Sequence, residues 1–434
     1  MKHCQAFFLF VLLLLASWAQ PVLAGPKIEH WQTSAGSRVY FVESHAQPII
    51  DLQVDFPAGS AYEPTGKAGV ASLTHGLLDL GAGELDEKAI ADRLADIGAR
   101  LSGNVDSDRS SLSLRTLSMP DKRLPALAIL REVLAAPRFP TPVFEREKAR
   151  SVASLKEAMT RPETIAAKAF WSAMYPAHPY GQQATPESIA ALQRADVVAF
   201  HASNYSAPRA SLTIVGDLMR AQAEAVAEEL SSRLPRSAGA SEIPLATLPA
   251  GGEQRIAHPA AQAHLLIGLP ALKRGDADFF PLLVGNYTLG GGGFVSRLMK
   301  EVRDKRGLAY SVSSYFMPLA YRGPFQLGMQ TKKAQANEAL TVSRQVLADF
   351  LANGPSADEM QAAKQNLIGS FPLRLDSNRK LLDNVALLGF YQLPLDYLDT
   401  YQANIEKVTL AEIKAAFARH LLQANLQTII VGGD

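Results

Sequence analysis

Residues 289–312 read LGGGGFVSRLMKEVRDKRGLAYSV. Four glycines (Gly290, Gly291, Gly292, Gly293) precede a basic amphipathic stretch, and Gly307-Leu308-Ala309-Tyr310 then leads into a strand. A glycine run ahead of a helix invites comparison with a phosphate loop, but the Gly-Lys-Ser/Thr ending is missing. Phe294-Val295-Ser296 follows instead, and no βαβ unit is predicted around it. Consecutive glycines cost backbone entropy, so they fit a tight turn or a place where backbone approaches backbone, as with an extended peptide. In the helix that follows, Val295, Leu298 and Val302 form one face, with Lys300, Arg303 and Arg306 outside it. Arg303 and Tyr310 stand on either side of Gly307 with six residues between them.

Around this stretch, His264–Leu269 reads as a strand and Phe279–Leu289 as a helix. Strands at Ala309–Phe316 and Phe325–Gln330 follow, then helices near Ala334–Ala352 and Ser356–Gly369. The first part of the chain has a similar plan. Arg38–Val42 reads as a strand, and in the next one Ile50, Leu52, Val54 and Phe56 alternate with Asp51, Gln53 and Asp55, the period of a half-buried strand. A helix after Pro64-Thr65-Gly66 carries Val70, Leu73, Leu77 and Leu80 in one stripe. Glu87–Ile97, Lys122–Ala135 and Pro142–Met159 read as further helices, Leu112–Leu114 as a strand, and Trp171–Gly181 as a loop by its prolines. Both parts end alike. Ala195–His201 leads to Leu-Thr-Ile-Val-Gly-Asp (212–217), and Ala411–Phe417 leads to Gln-Thr-Ile-Ile-Val-Gly-Gly-Asp (427–434). An internal duplication of about 200 residues is the simplest explanation. The halves are then 25–234 and 253–434, joined by a Pro, Ala, Gly and Ser-rich linker over 235–252. Alternation, rather than continuous Val/Ile runs, predicts an α+β class: two similar halves, each a mixed or antiparallel sheet with helices packed on one face.

Residues 1–24 read as a secretory signal peptide. Lys2 and His3 open it, Ala6–Ala16 is uninterrupted and apolar, and Val22-Leu23-Ala24 precedes a cleavage point at Gly25. The run is shorter than the roughly 20 residues a spanning helix needs, an uncleaved anchor being the alternative. The expected location is periplasmic or otherwise exported, with no membrane association after cleavage. Cys4 is the only cysteine and lies in the signal, so the mature chain has no disulfide and relies on its core. With 43 basic against 42 acidic residues and no basic run, nucleic acid is not an expected partner.

The motif from Ser296 to Val312, with the glycines before it, resembles the non-zinc half of the pitrilysin/insulinase metallopeptidases, the group that includes mitochondrial processing peptidase. Active members carry His-x-x-Glu-His on a helix, where two histidines bind zinc and the glutamate activates a water. Aligning Gly69-Val70-Ala71 with the family's approach to that motif puts Ser72, His75 and Gly76 at its three positions. Serine and glycine replace the imidazoles, and His75 stands where the glutamate belongs. The family's third ligand falls at Ser154, with Glu157 close by. His75 with Asp79 leaves open a lone metal pair, a proton relay or a polar helix face at a subunit contact. His45, His178, His201, His258, His264 and His420 show no ligand spacing, and no Gly-x-Ser-x-Gly occurs.

The resemblance implies a zinc-lacking subunit of an exported metallopeptidase, inactive alone and carrying no cofactor. Zinc would sit in a homologous partner with His-x-x-Glu-His. Gly290–Gly293 would lie near the peptide substrate. Arg303 and Tyr310 would reach the partner's zinc centre and hydrogen-bond the substrate carbonyl and its developing oxyanion. The alternative is a structural or peptide-binding scaffold of the same fold with no proteolytic role.

Overall fold

A computed structural model describes residues 25–237 and 242–432. The signal-like residues 1–24, part of the linker and the terminal Gly433-Asp434 lie outside them. The first half contributes β1 (Glu29–Gln32), β2 (Arg38–Glu43), β3 (Ile49–Phe56), a short pair β4 (Gly81–Ala82) and β5 (Leu85–Asp86), β6 (Arg100–Val105), β7 (Ser110–Leu117) and β8 (Ser211–Gly216). The second contributes β9 (Gly252–Ile256), β10 (Gln262–Leu272), β11 (Ala309–Phe316), β12 (Gly323–Lys332) and β13 (Gln427–Val431). Among the helices are α1 (Val70–Gly76), α2 (Pro162–Met174), α3 (Phe279–Asn286) and α4 (Asn378–Phe390).

The strand orders are β1-β2-β8-β3-β7-β6 and β9-β13-β10-β12-β11, one topology used twice with β1 added. The two similar endings explain this. β8 and β13 each run parallel to the first core strand of their half (β2, β9) and antiparallel to the second (β3, β10). β6 and β11 are consequently equivalent edge strands.

β3 departs from the expected half-buried strand. Its polar residues Asp51, Gln53 and Asp55 are as buried as its apolar ones. They survive burial because each faces a polar partner in register on β7: Asp51 opposite Arg115, Gln53 opposite Ser113, Asp55 opposite Ser111. Arg115 grips Asp51 through Nε (2.7 Å) and Nη2 (2.9 Å), Ser113 Oγ donates to Gln53 Oε1 (3.0 Å), and Ser111 Oγ donates to Asp55 (2.5 Å). Buried polar groups are tolerated when paired in this way.

That face is buried by the other half. Val39, Phe41, Leu212 and Ile214 point into the first half's own core, whereas Tyr40, Val42 and Val215 join the second half's core with Leu382 and Val385 of α4. The exchange is mutual. Ile430 of β13 belongs to the second core, and its neighbours Ile429 and Val431 pack with Phe170 and Met174 of α2, from the first half. Each sheet thus has its own helices on one face and a helix given by the other half on the second. α2 begins at Pro162 and runs through Trp171 to Met174, so the loop read over 171–181 starts later, at the prolines Pro176 and Pro179 that signalled it. Gly389 makes the close contact possible: a Cβ there would lie 2.5 Å from the Tyr40 ring.

Asp108, fully buried, ties the halves together. It accepts hydrogen bonds from the Tyr180 hydroxyl, the Tyr391 hydroxyl (2.8 Å) and the Ala320 N–H (2.8 Å). The Arg274 guanidinium covers the Tyr391 ring at 5.1 Å. The segment after residue 241 carries no helix or strand before β9, yet Ile243 and Ala246 are buried against α2 and its neighbours.

Candidate functional site

The first region to test is α1. Val70, Ala71, Leu73 and Thr74 are buried, which leaves Ser72 and Gly76 exposed on the opposite face. The apolar stripe positions the helix as expected, but the helix ends at Gly76, with Leu77 as its cap. Its first turn is held by Glu63, whose Oε1 accepts from the N–H groups of Gly69 (3.0 Å) and Ala71 (2.9 Å). Burial pushes this carboxyl up to about 7 against the pull of those two bonds. Sequence reading missed Glu63; an acid shortly before a helix start was the available signal.

His75 turns inward. Its Nδ1 lies 2.8 Å from Ser110 Oγ, which also accepts from the Tyr205 hydroxyl at 2.8 Å. Burial beside a hydroxyl, with no described carboxylate hydrogen-bonded to the ring, keeps the imidazole neutral. Burial lowers its pKa to about 4. Asp79, whose carboxyl is raised by burial, is not hydrogen-bonded to it, and the histidine's partner is the serine. Ser154 and Glu157 are exposed on the helix Thr141–Ala158. A hydroxyl, an absent side chain and an imidazole committed to Ser110 do not make a zinc donor set.

The second region lies between α3 and β11, the place equivalent to the stretch from α1 to β6. α3 widens into a π-helical turn at Tyr287–Gly291, followed by a tight turn at Gly293–Val295 and a second π-helical turn at Met299–Asp304. The glycines are largely accounted for within the chain. A Cβ on Gly290 would meet Ser314 Oγ at 2.4 Å, and Gly293 adopts a φ of +60°. Gly290, Gly291 and Gly293 border a cavity of about 610 Å³, and Gly292 does not. Seven consecutive residues of β11, Tyr310 to Phe316, also line it, so the cavity runs along the strand's edge and not over one face.

Arg303 and Tyr310 are brought together at its rim. The Arg303 guanidinium sits between the Phe294 ring (4.7 Å) and the Tyr310 ring (5.2 Å). Tyr310 is 86% exposed and Phe294 68%. No described carboxylate pairs with Arg303, so its charge is oriented by two aromatic faces and left free to donate. Phe294 was not singled out from sequence, although a large aromatic directly after four glycines was a visible cue.

Comparison with known proteins shows the family. Residues 38–186 match the family model for insulinase (peptidase family M16), and residues 191–367 match the model for the peptidase M16 inactive domain. A crystal structure described as a peptidase M16 inactive domain from Pseudomonas fluorescens superposes with a TM-score of 0.90 at 35% identity, covering 94% of this chain and 98% of that one. The non-peptidase homolog YmxG of Helicobacter pylori is 26% identical over 388 residues, 88% of each chain. The periplasmic protease PqqL of Escherichia coli shares the fold (TM-score 0.80, 17% identity), and this chain covers 46% of it. The chain belongs to the insulinase family, peptidase family M16. Two of these relatives are described as an inactive domain and a non-peptidase homolog, and Ser72, His75 and Gly76 are the residues expected from sequence at the zinc-motif positions.

Proposed function

We propose that this chain is the zinc-lacking subunit of an exported two-chain metallopeptidase, paired with a homologous chain that carries His-x-x-Glu-His. The observation that carries the reading is Arg303, unpaired and held between Phe294 and Tyr310 at the mouth of an open cavity. Packing does not account for a tyrosine left 86% exposed there. An extended peptide would lie along β11, whose outer edge pairs with no described strand. Arg303 would donate to the substrate carbonyl, and the Tyr310 hydroxyl would donate to the oxyanion that develops as the partner's zinc-bound water attacks. The signal-like N-terminus supports export.

The test is turnover of the assembled pair. Tyr310→Phe should lower kcat about a hundredfold with little change in KM, because the bond forms only in the transition state. Unchanged kcat removes the role of Tyr310. The scaffold reading has one observation in its favour: the glycine run is largely explained by contacts inside the chain. That reading predicts no loss of turnover in either Tyr310→Phe or Arg303→Gln.

A further inference from the structure

The charge and shape of the β11 cavity narrow what it can hold. Its walls are mostly apolar: Phe279, Leu282 and Leu283 of α3, with Met299 and Leu367 opposite. Its only charged lining residues are Arg303 and Arg374, and no aspartate or glutamate borders it. Among the described residues neither arginine has an ion-pair partner. Arg374 is exposed and lies near the phenols of Tyr401 and Tyr397, neutral groups that leave its charge uncompensated. Two unpaired guanidinium groups beside an apolar cavity of about 610 Å³ complement a group that is greasy at one end and anionic at the other. The backbone edge of β11 forms the remaining wall, which adds an extended main chain to that description.

We infer that the cavity is a side-chain pocket for an extended peptide in which an apolar residue stands next to a carboxylate, the apolar side chain entering between α3 and β11 and the carboxylate meeting Arg303 and Arg374. The inference rests on the peptide-binding part of the function proposed above and gives that site a substrate class. The carboxylate can be the peptide's own C-terminus or the side chain of a neighbouring Asp or Glu. Both offer the same two oxygens to a guanidinium.

The experiment is fluorescence anisotropy on the purified full chain with three labelled peptides of one Ala/Ser background. One ends in Leu with a free carboxylate, one ends in Leu amide, and one carries Leu-Asp with an amidated end. The free acid, the Leu-Asp peptide or both should bind at least about tenfold tighter than the plain amide, the worth of one charge-assisted contact. Whichever shows the gain identifies the source of the carboxylate. Arg374→Gln, a change at an exposed position, should erase the gain over the amide. Equal binding of all three peptides overturns the inference and leaves peptide binding intact. A gain that persists in both Arg374→Gln and Arg303→Gln overturns the assignment to these arginines. No binding of any peptide removes the peptide site itself.

Discussion

The segment between β3 and β6 and the segment between β10 and β11 hold equivalent places in the two halves, and they treat their polar residues in opposite ways. In the first, Glu63 is spent on the start of α1 and His75 on Ser110, so both functional-looking groups face inward. In the second, Arg303 and Tyr310 face outward, and no described acid or strand engages them. Of two equivalent segments in a repeated fold, one ties its polar groups into internal hydrogen bonds and the other leaves them exposed. The lesson is that a motif position is read by where its side chain points as much as by what it is.

Five substitutions and a pH series would break or sharpen that contrast. The largest effect is expected from His75→Glu, which restores the family's residue but puts a carboxylate into a pocket built for a neutral ring. Stability should fall by about 3 kcal/mol in urea titrations. Next comes pH. The folded pKa of His75, about 4, lies below its ordinary 6.5. The unfolded chain therefore binds the proton first, and stability is lost as pH falls from 6.5 through 4, by up to about 3 kcal/mol. Glu63 acts with the opposite sign. Its folded pKa of about 7 lies above 4.5, so the folded chain keeps the proton longer and stability is lost as pH rises through that window. His75→Phe should remove its share of the acid slope, while His201 (also lowered to about 4), His178 and His264, all lowered by burial, continue to contribute. Glu63→Gln should flatten the slope on the neutral side, and unchanged slopes in both variants would mean that neither group is buried as described.

A smaller effect is expected at the contact between halves. Gly389→Ala pushes a methyl against the Tyr40 ring and should cost about 1–3 kcal/mol, with both halves still unfolding in one transition. The smallest is Ser72→His. The position is exposed, so stability should change by less than about 0.5 kcal/mol, and the new imidazole should bring no zinc because Gly76 and Ser154 supply no companion ligand. Retained zinc in that variant would show that the helix face is closer to an active site than its donors suggest.

Much of this was legible in the sequence. The paired endings announced the shared strand order, and the apolar stripe from Val70 announced α1. The family resemblance singled out Arg303 and Tyr310, which the fold brings together. The misses have physical causes. β6 and β9 are exposed strands, with Leu101 and Ile256 as nearly their only large apolar residues apart from the terminal Val105, so no alternation marks them. β3 alternates as a half-buried strand should, and only the arrival of α4 from the other half buries its polar side. The helix before Gly307 has the apolar spacing of an α-helix, yet Val295 is 56% exposed because the glycine turn ends after it and the next turn is π-helical. Arg374 meets Arg303 only through the fold, which periodicity cannot report, whereas Glu63 and Phe294 act on neighbours six to nine residues away and carried local cues.

The most direct test is whether the helix carrying Ser72, His75 and Gly76 holds the family's zinc, which the donor set there argues against. The mature chain, purified alone, should contain no stoichiometric zinc by elemental analysis and should not cleave a quenched peptide. Stoichiometric zinc together with chelator-sensitive cleavage would contradict the account and make the chain an enzyme in its own right.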